Sequence, residues 1–331
     1  MRAMVLSRPA PIEFEPLAGL ELPIPSPGQG ELSIAVEACG VCRTDLHTVE
    51  GELPLRSLPL VPGHQIVGRV TDIGPGVEPG LVGARVGVAW LAGACGECRY
   101  CRSGRENLCP RATFTGLHRD GGYAERALAL ADFVYPLPAE LPAVQAAPLL
   151  CAGVIGLRAL RLAGAPEGGV LGMFGFGASA HVAIQIARHA GCEVAVFSRA
   201  ERHRRHALAL GASWAGSPEE RPPCTLDRAV IFSPAGEQVP HALDLVAPGG
   251  VVVCAGVTMS DVPSMPYSLV YSERRLTSVA NATRQDARDL LELAAAIPIR
   301  TTAEALPLGD ANTALGRIKH SQADGALVLV P

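Results

Sequence analysis

Four of the chain's ten cysteines stand within fifteen residues, in the run Cys95-Gly-Glu-Cys98-Arg-Tyr-Cys101-Arg-Ser-Gly-Arg-Glu-Asn-Leu-Cys109. Thiols at this spacing suit a tetrahedral Zn²⁺ site, because short Cys-x2-Cys loops supply the geometry. Four thiolates leave a local charge of about −2 on the complex. Arg99, Arg102 and Arg105 are placed to offset it. Such a site is closed to water, stiffens its loop and does no chemistry. A redox pair or plain free cysteines are the other readings.

A second set of candidates is dispersed. Cys39-Gly-Val-Cys42-Arg43-Thr44-Asp45-Leu-His47 comes first, then Gly63-His64-Gln65, then Leu149-Leu150-Cys151-Ala-Gly153. A catalytic zinc needs three protein ligands and one open position, and two Cys with one His is a known set. Spacing does not join these three segments. Only a fold brings Cys151 near Cys42, and a lone His or buried Cys is more often plain core.

Gly175-Phe-Gly177-Ala178-Ser179-Ala180 fits the pattern G-x-G-x-x-A. It follows an apolar run, Val170–Phe174, and opens a stretch of helical periodicity, Ala180–Ala190, which is the context a dinucleotide-binding turn needs. Gly175 permits the tight turn, Gly177 lets a pyrophosphate approach the backbone, and Ala180 allows close helix–strand packing. The free N–H groups of the helix start then meet the anion. The next strand, Val194–Phe197, ends in Ser198-Arg199, with Arg202, His203, Arg204 and Arg205 following. No acid sits at its tip to hold a ribose 2′-OH. A serine hydroxyl and an arginine can hold a 2′-phosphate, so Ser198 and Arg199 favour NADP(H), with NAD(H) as the alternative if the Arg run is a solvated helix face.

These groups need two kinds of scaffold. Residues 1–145 read as β-rich: short runs such as Leu32–Val36 and Ile66–Val70 lie between Pro and Gly, and 30–90 looks like a small barrel or sandwich. Residues 91–110 read as an irregular lobe. Beyond 150, strands alternate with helices: Val170–Phe174, Glu193–Phe197, Arg228–Phe232 and Gly250–Gly256 against Ala180–Ala190, Glu201–Leu210 and His241–Val246. That alternation predicts a doubly wound parallel sheet. Asp286–Ala296 reads as a helix, and Leu306–Leu308 and Ala326–Val330 as strands that return to the first domain. The expected fold is α/β, with a β-rich domain at 1–150 and 282–331 and a dinucleotide-binding domain at 151–281.

Composition narrows the class. Hydrophobic residues make up 48% and charged residues 18% of 331 residues, and the net charge is −4, which gives no nucleic-acid footprint. Apolar stretches such as Gly249–Val257 fall well short of the roughly 20 residues a membrane span needs. The N-terminus lacks a signal-peptide apolar region, so a cytoplasmic location is the default. Cysteines in such a chain point to metal or catalysis before disulfides.

The motifs together carry a resemblance. Gly-Val-Cys42-Arg-Thr-Asp-Leu-His47, Gly63-His-Gln-Ile-Val-Gly68 with Gly74 and Val77 beyond it, the four-Cys lobe and the Gly-rich turn make this chain similar to the zinc-containing alcohol dehydrogenases of the medium-chain dehydrogenase/reductase family. The likeness covers nearly the whole chain. It implies a GroES-like catalytic domain and a Rossmann domain, two zincs per chain and reversible hydride transfer between an alcohol and NAD(P). By the same resemblance Cys42, His64 and Cys151 hold the catalytic zinc, and Cys95, Cys98, Cys101 and Cys109 the structural one. Thr44 passes the alcohol proton onward, and His47 takes it towards solvent through the cofactor ribose. Asp45 fixes the tautomer of His64, and Arg43 reaches the cofactor pyrophosphate. Cys39 is a spare thiol beside the site. The expected partners are a small alcohol or aldehyde and further copies of the chain, as a homodimer or homotetramer.

Three positions depart from the family. Gln65 stands where Glu is usual, which removes a negative charge beside the metal. Ile155 replaces a common Thr, and Ala84 a common Asp. Two other functions compete: a zinc-free reductase of quinones or enones, against which all seven metal-ligand positions are filled, and a non-catalytic zinc- and nucleotide-binding protein, which would need no Thr44–His47 relay.

Overall fold

Glu31–Val41 is the strand on which the first half of the chain is organised. Leu32, Ile34, Val36 and Val41 are buried along it, branched side chains that pack well on a pleated surface. It pairs antiparallel with Gln65–Ile73, with Arg126–Leu130 and with Ala326–Val330. In that register Gly40 lies opposite Gln65. Cys42 and His64, each just beyond its strand, are therefore delivered to the same end of the sheet.

The computed structural model describes residues 1–165, 169–323 and 325–331. They form two compact units, one of Met1–Cys151, Thr283–Ala295 and Arg300–Pro331, the other of Ala152–Ala282 and Ala296–Ile299. The first unit holds a seven-stranded sheet in the order Ala303–Pro307, Ala326–Val330, Glu31–Val41, Gln65–Ile73, Arg85–Val88 and Val134–Pro136, with Arg126–Leu130 paired to Glu31–Val41. Beside it, Leu91–Gly93 and Thr113–Phe114 pair antiparallel and bracket the cysteine lobe. Leu91, Cys109, Ala112 and Phe133 form a small core under that lobe. The lobe is less irregular than its sequence suggests, because Arg99–Arg102 makes one helical turn and Glu106–Leu108 a 3₁₀ turn. The late strand begins at Ala303 rather than Leu306.

The second unit is a six-stranded parallel sheet. Its order is Trp214–Gly216, Glu193–Phe197, Val170–Phe174, Leu226–Ile231, Val246–Cys254, Arg275–Ser278. Numbered by sequence, the first strand lies in the middle, which is the doubly wound order. Phe174 and Phe197 stack across neighbouring strands with ring centroids 4.1 Å apart. Strands buried on both faces are apolar throughout, as in Val194–Phe197, where no side chain exceeds 0% exposure. Among the described residues, no single helix is long and apolar enough to cross a membrane.

Among the described residues, a histidine is buried in this second core. His181, on the helix Ala178–His189, is 2% exposed, and neither ring nitrogen has a hydrogen-bond partner. Its ring stacks 6.1 Å from that of His206. Burial and the nearby His206 push the imidazole down to about 4. The unfolded chain, with an ordinary value near 6.5, therefore binds a proton that the folded chain refuses between those two values. Stability should fall as pH drops from about 6.5 to about 4, by up to about 3 kcal/mol from this group. Urea unfolding at pH 7.5 and pH 4.5 measures it, and His181→Leu should lose less stability between the two pH values than the wild type.

Candidate metal centres and dinucleotide turn

The first centre is assembled by a helix cap. Cys42 precedes the helix Arg43–Glu50 with extended backbone, and its Sγ accepts the Thr44 N–H at 3.3 Å. The Asp45 carboxylate accepts the Cys42 N–H through Oδ2 at 2.9 Å. This is a reciprocal capping box with a thiol in the usual place of a hydroxyl. Asp45 uses its other oxygen to hold His64 Nδ1 at 2.7 Å. One buried carboxylate thus orients both a helix start and an imidazole.

His64 is fully buried. Gly63 before it has φ +96°, and a Cβ there would lie 2.3 Å from the Tyr123 ring, so the approach to His64 demands glycine. His64 Nε2 lies 3.5 Å from Cys42 Sγ. Cys151 follows the 3₁₀ turn Ala147–Leu150. The ligand atoms of Cys42, His64 and Cys151 all lie within 4.8 Å of one another. Tetrahedral zinc with bonds of about 2.0–2.3 Å spaces its ligand atoms about 3.5–3.8 Å apart, so the donor set fits that ion.

The electrostatics follow from this crowding. A hydrogen bond from Cys151 holds the Cys42 thiol well below the ordinary thiol range, helped by His64 and the Thr44 hydroxyl, while the same bond and burial push Cys151 well above it. Burial alone would lower the His64 imidazole. The charges of Asp45 and Cys42 and their hydrogen bonds outweigh it and hold the group up at about 10. Burial raises the Asp45 carboxyl above its ordinary value, against the pull of His64.

Around these three groups the other expected residues fall as follows. Thr44 is buried. His47 is nearly buried, and its Nδ1 pairs with Glu52 Oε2 at 2.6 Å. Glu52, half exposed, is a residue that sequence reading missed. It stands just past the Gly51 cap of the same helix. Cys39 is buried in the strand, its thiol directed to its neighbour's Gly40 carbonyl, and it lies outside the trio. Gln65 is 2% exposed, packs over Gly40, and leaves its Nε2 without a partner. The Arg43 guanidinium donates to the Ile318 carbonyl at 3.2 Å.

The second centre brings together Cys95, Cys98, Cys101 and Cys109. Their sulfurs stand 3.5–3.8 Å apart along the pairs Cys95–Cys109, Cys98–Cys101 and Cys95–Cys101. Backbone N–H groups of Glu97 and Cys98 hold Cys95 down at about 5, while burial and its neighbours push Cys101 up to about 12. The expected arginines are only partly engaged here. Arg99 and Arg105 lie over the Tyr100 ring, and it is Arg111 that bonds Cys95, together with Glu97. Glu106 ties the lobe down by accepting from Arg284 N at 3.0 Å and Nε at 3.3 Å.

In the second unit Gly175 has φ +87°, and a Cβ there would lie 2.8 Å from Ser233 N. Gly177 is the N-cap of Ala178–His189, and nothing stands within 4 Å of where its Cβ would be. Ala178 and Ser179 form the first helical turn, whose free N–H groups face a ligand arriving there. At the tip of the next strand, Ser198 Oγ lies 3.5 Å from His203 Nδ1. Arg204 is committed to the backbone, donating to the Ser198 and Arg199 carbonyls and to Glu201. Arg199 remains exposed. Arg274 donates to the Val246 carbonyl at 2.8 Å rather than standing free.

A sheet end carrying a Cys–His–Cys donor set, a four-Cys lobe and a doubly wound sheet with a Gly-rich turn define a zinc-binding, nicotinamide-linked oxidoreductase. Residues 28–139 match the alcohol dehydrogenase GroES-like domain, and residues 180–296 match the zinc-binding dehydrogenase domain. The chain is 43% identical to a probable alcohol dehydrogenase, AdhA, of Mycobacterium tuberculosis, over all of this chain and 97% of that one. A cobalt- and zinc-bound thermostable alcohol dehydrogenase from Pyrobaculum aerophilum superposes with TM-score 0.90 at 26% identity, covering 100% and 99% of the two chains. A zinc-binding dehydrogenase of Sinorhizobium meliloti bound to NADP does so with TM-score 0.88 at 27% identity, over 100% and 99%. The chain belongs to the zinc-containing alcohol dehydrogenases of the medium-chain dehydrogenase/reductase family.

The pairing of Asp45 with His64 gives a direct test in the metal-free protein. Asp45→Asn removes the largest raising influence on the imidazole and leaves burial to lower it. The His64 pKa should then fall from about 10 towards or below its ordinary value of about 6.5. NMR titration of the imidazole measures it; a value still near 10 would assign the effect to Cys42.

Proposed function

We propose that the protein catalyses reversible hydride transfer between a small primary alcohol, or its aldehyde in reverse, and NADP(H). Cys42, His64 and Cys151 would hold a catalytic zinc, and the four cysteines of the lobe a second, structural one. The observation that carries the reading is the convergence of Cys42, His64 and Cys151 from three distant segments on one point. When bound, zinc supplies a Lewis acid for the substrate oxygen and the nicotinamide supplies the hydride acceptor.

The chain's own residues do the rest. Two thiolates and a neutral imidazole balance the charge of the ion, so a negatively charged oxygen is admitted without excess charge. Asp45 keeps the proton of His64 on Nδ1, which leaves Nε2 free as a donor to the metal. The Thr44 hydroxyl can accept a proton from the alcohol and donate its own, as a relay requires. His47 is the next carrier. Glu52 holds its Nδ1, and the half-exposed carboxylate is the water end of the relay.

Ser198 and Arg199 would bind the 2′-phosphate of NADP(H), with the His203 imidazole beside Ser198 as a third contact. The pyrophosphate would lie over Gly175, Gly177, Ala178 and Ser179, with Arg43 as a further cation. Association as a homodimer or homotetramer is supported by an edge strand, Arg275–Ser278, whose four side chains are all exposed. Exposed Tyr267, Tyr271 and Val257 add apolar surface in the same unit. Six thiols that must stay reduced to bind metal favour the cytoplasm.

Purified protein should carry two zincs per chain and reduce short aldehydes in a chelator-sensitive reaction. Cys98→Ser should lose one zinc and melt lower, and a variant with full zinc and an unchanged Tm would overturn the structural site. The cofactor assignment is tested by Arg199→Asp, which should shift the NADPH/NADH ratio of kcat/KM towards NADH by at least about tenfold, the worth of one charge-assisted contact. An unchanged ratio would remove Arg199 from the site.

A further inference from the structure

The helix Arg43–Glu50 carries two charges at the wrong ends. Asp45 near its start and His47 in its last turn suit the helix dipole, but Arg43 is its first residue and Glu50 its last. A cation at a helix start and an anion at a helix end both oppose the dipole. Seven residues apart, the two lie on one face, about 10 Å from each other along the axis. The helix has eight residues, too few to hold itself in water. Both charges must be answered from outside it.

One place answers both. The helix Ala311–Lys319 packs against Arg43–Glu50 within the same unit. Arg43 Nη2 donates to the Ile318 carbonyl at 3.2 Å. That carbonyl belongs to the last turn of its helix, where a cation is favoured. The next residue, Lys319, donates through Nζ to Glu50 Oε1 at 2.8 Å and to Glu13 Oε2 at 2.9 Å. Glu50 Oε1 also accepts the Ile12 N–H at 3.0 Å. The Glu50 side chain is 12% exposed and that of Lys319 31%, so the pair is better shielded than an open surface ion pair. Two consecutive residues thus fasten both ends of the helix on which Thr44 and His47 stand.

The end that Lys319 holds is also the end that places the relay. The Glu52 N–H donates to the His47 carbonyl at 2.9 Å, and the Gly51 N–H to the Thr48 carbonyl at 3.2 Å. Pro9 lies so close over Gly51 that a Cβ there would meet it at 2.9 Å. The Ala10 N–H donates to the Val49 carbonyl at 3.2 Å. Glu52, whose carboxylate pairs with His47 Nδ1, therefore follows the last turn wherever that turn is put. We propose that Lys319 is a positioning residue: by holding Glu50 it fixes the last turn of Arg43–Glu50, and with it the spacing of Thr44, His47 and Glu52 along the proton path. The inference rests on the relay role of those three residues. It adds a residue from the far end of the chain that acts only through Glu50.

The zinc-loaded protein is compared with three variants. Lys319→Met keeps the stem and removes the charge, Lys319→Arg restores a donor, and Glu13→Gln removes the other acid bonded to Lys319. Amide hydrogen exchange reads the fastening of the helix, and the solvent deuterium isotope effect on kcat reads the proton path. In Lys319→Met the Gly51 and Glu52 amides should exchange about fivefold faster, the loss of one partly shielded ion pair. Its kcat should fall about threefold with a larger isotope effect, while KM for NADPH and the zinc content stay constant. Lys319→Arg should restore both readouts, and Glu13→Gln should change neither. Unchanged exchange in Lys319→Met would overturn the fastening. Faster exchange with kcat and the isotope effect unchanged would overturn the positioning role. A wild type that turns over no alcohol or aldehyde would remove the hydride-transfer reading, and the positioning role with it, whatever the exchange shows.

Discussion

The meeting of Cys42 and His64 depends on one carboxylate that is asked to do two things. Asp45 accepts the Cys42 N–H with one oxygen and holds His64 Nδ1 with the other. It is 1% exposed, so its charge leans on those partners. The first bond decides where a helix begins and therefore where the Cys42 sulfur points. The second decides which imidazole nitrogen faces that sulfur. Because both bonds end on one rigid group, Cys42 and His64 cannot drift independently, and their mutual approach is set by the secondary structure.

The same economy recurs where the other functional groups sit. His47 is held by Glu52 from the far side of the helix cap, and the lobe of four cysteines is tied to the late helix Arg284–Ala296 through Glu106. In the second unit, Arg204 spends its guanidinium on the carbonyls of Ser198 and Arg199. That fixes the strand tip at which a 2′-phosphate would be read, and leaves Arg199 itself exposed.

Local patterns were legible in the sequence, and long-range placements were not. The four-Cys run and the Gly-rich turn are short enough for spacing to carry geometry, and the alternating strands and helices gave the doubly wound sheet. The joining of His64 to Cys42 needs the antiparallel register of Glu31–Val41 with Gln65–Ile73, which no spacing rule supplies. The helix Arg43–Glu50 has no legible start in the sequence, since a cysteine is an unusual cap and the stretch is polar. Arg111, not Arg99, Arg102 or Arg105, meets Cys95, because the path of the loop, not proximity in the chain, decides which cation meets a thiol. Glu52 carries no motif and acquires meaning only from the His47 imidazole the fold sets beside it.

The strand Ala326–Val330 lies directly against Glu31–Val41, with Leu329 opposite Cys39 and Leu327 opposite Val41. During synthesis the central strand of the first unit therefore waits with an open edge until Ala326–Val330 has been made. The residues Ala152–Ala282, nearly the whole of the second unit, emerge as one stretch well before that. The second unit can complete its sheet while the half that surrounds Cys42, His64 and Cys151 is still unfinished. Those three residues are all translated early but gain their finished scaffold late, so the open edge is what a nascent chain must keep from pairing with a neighbour.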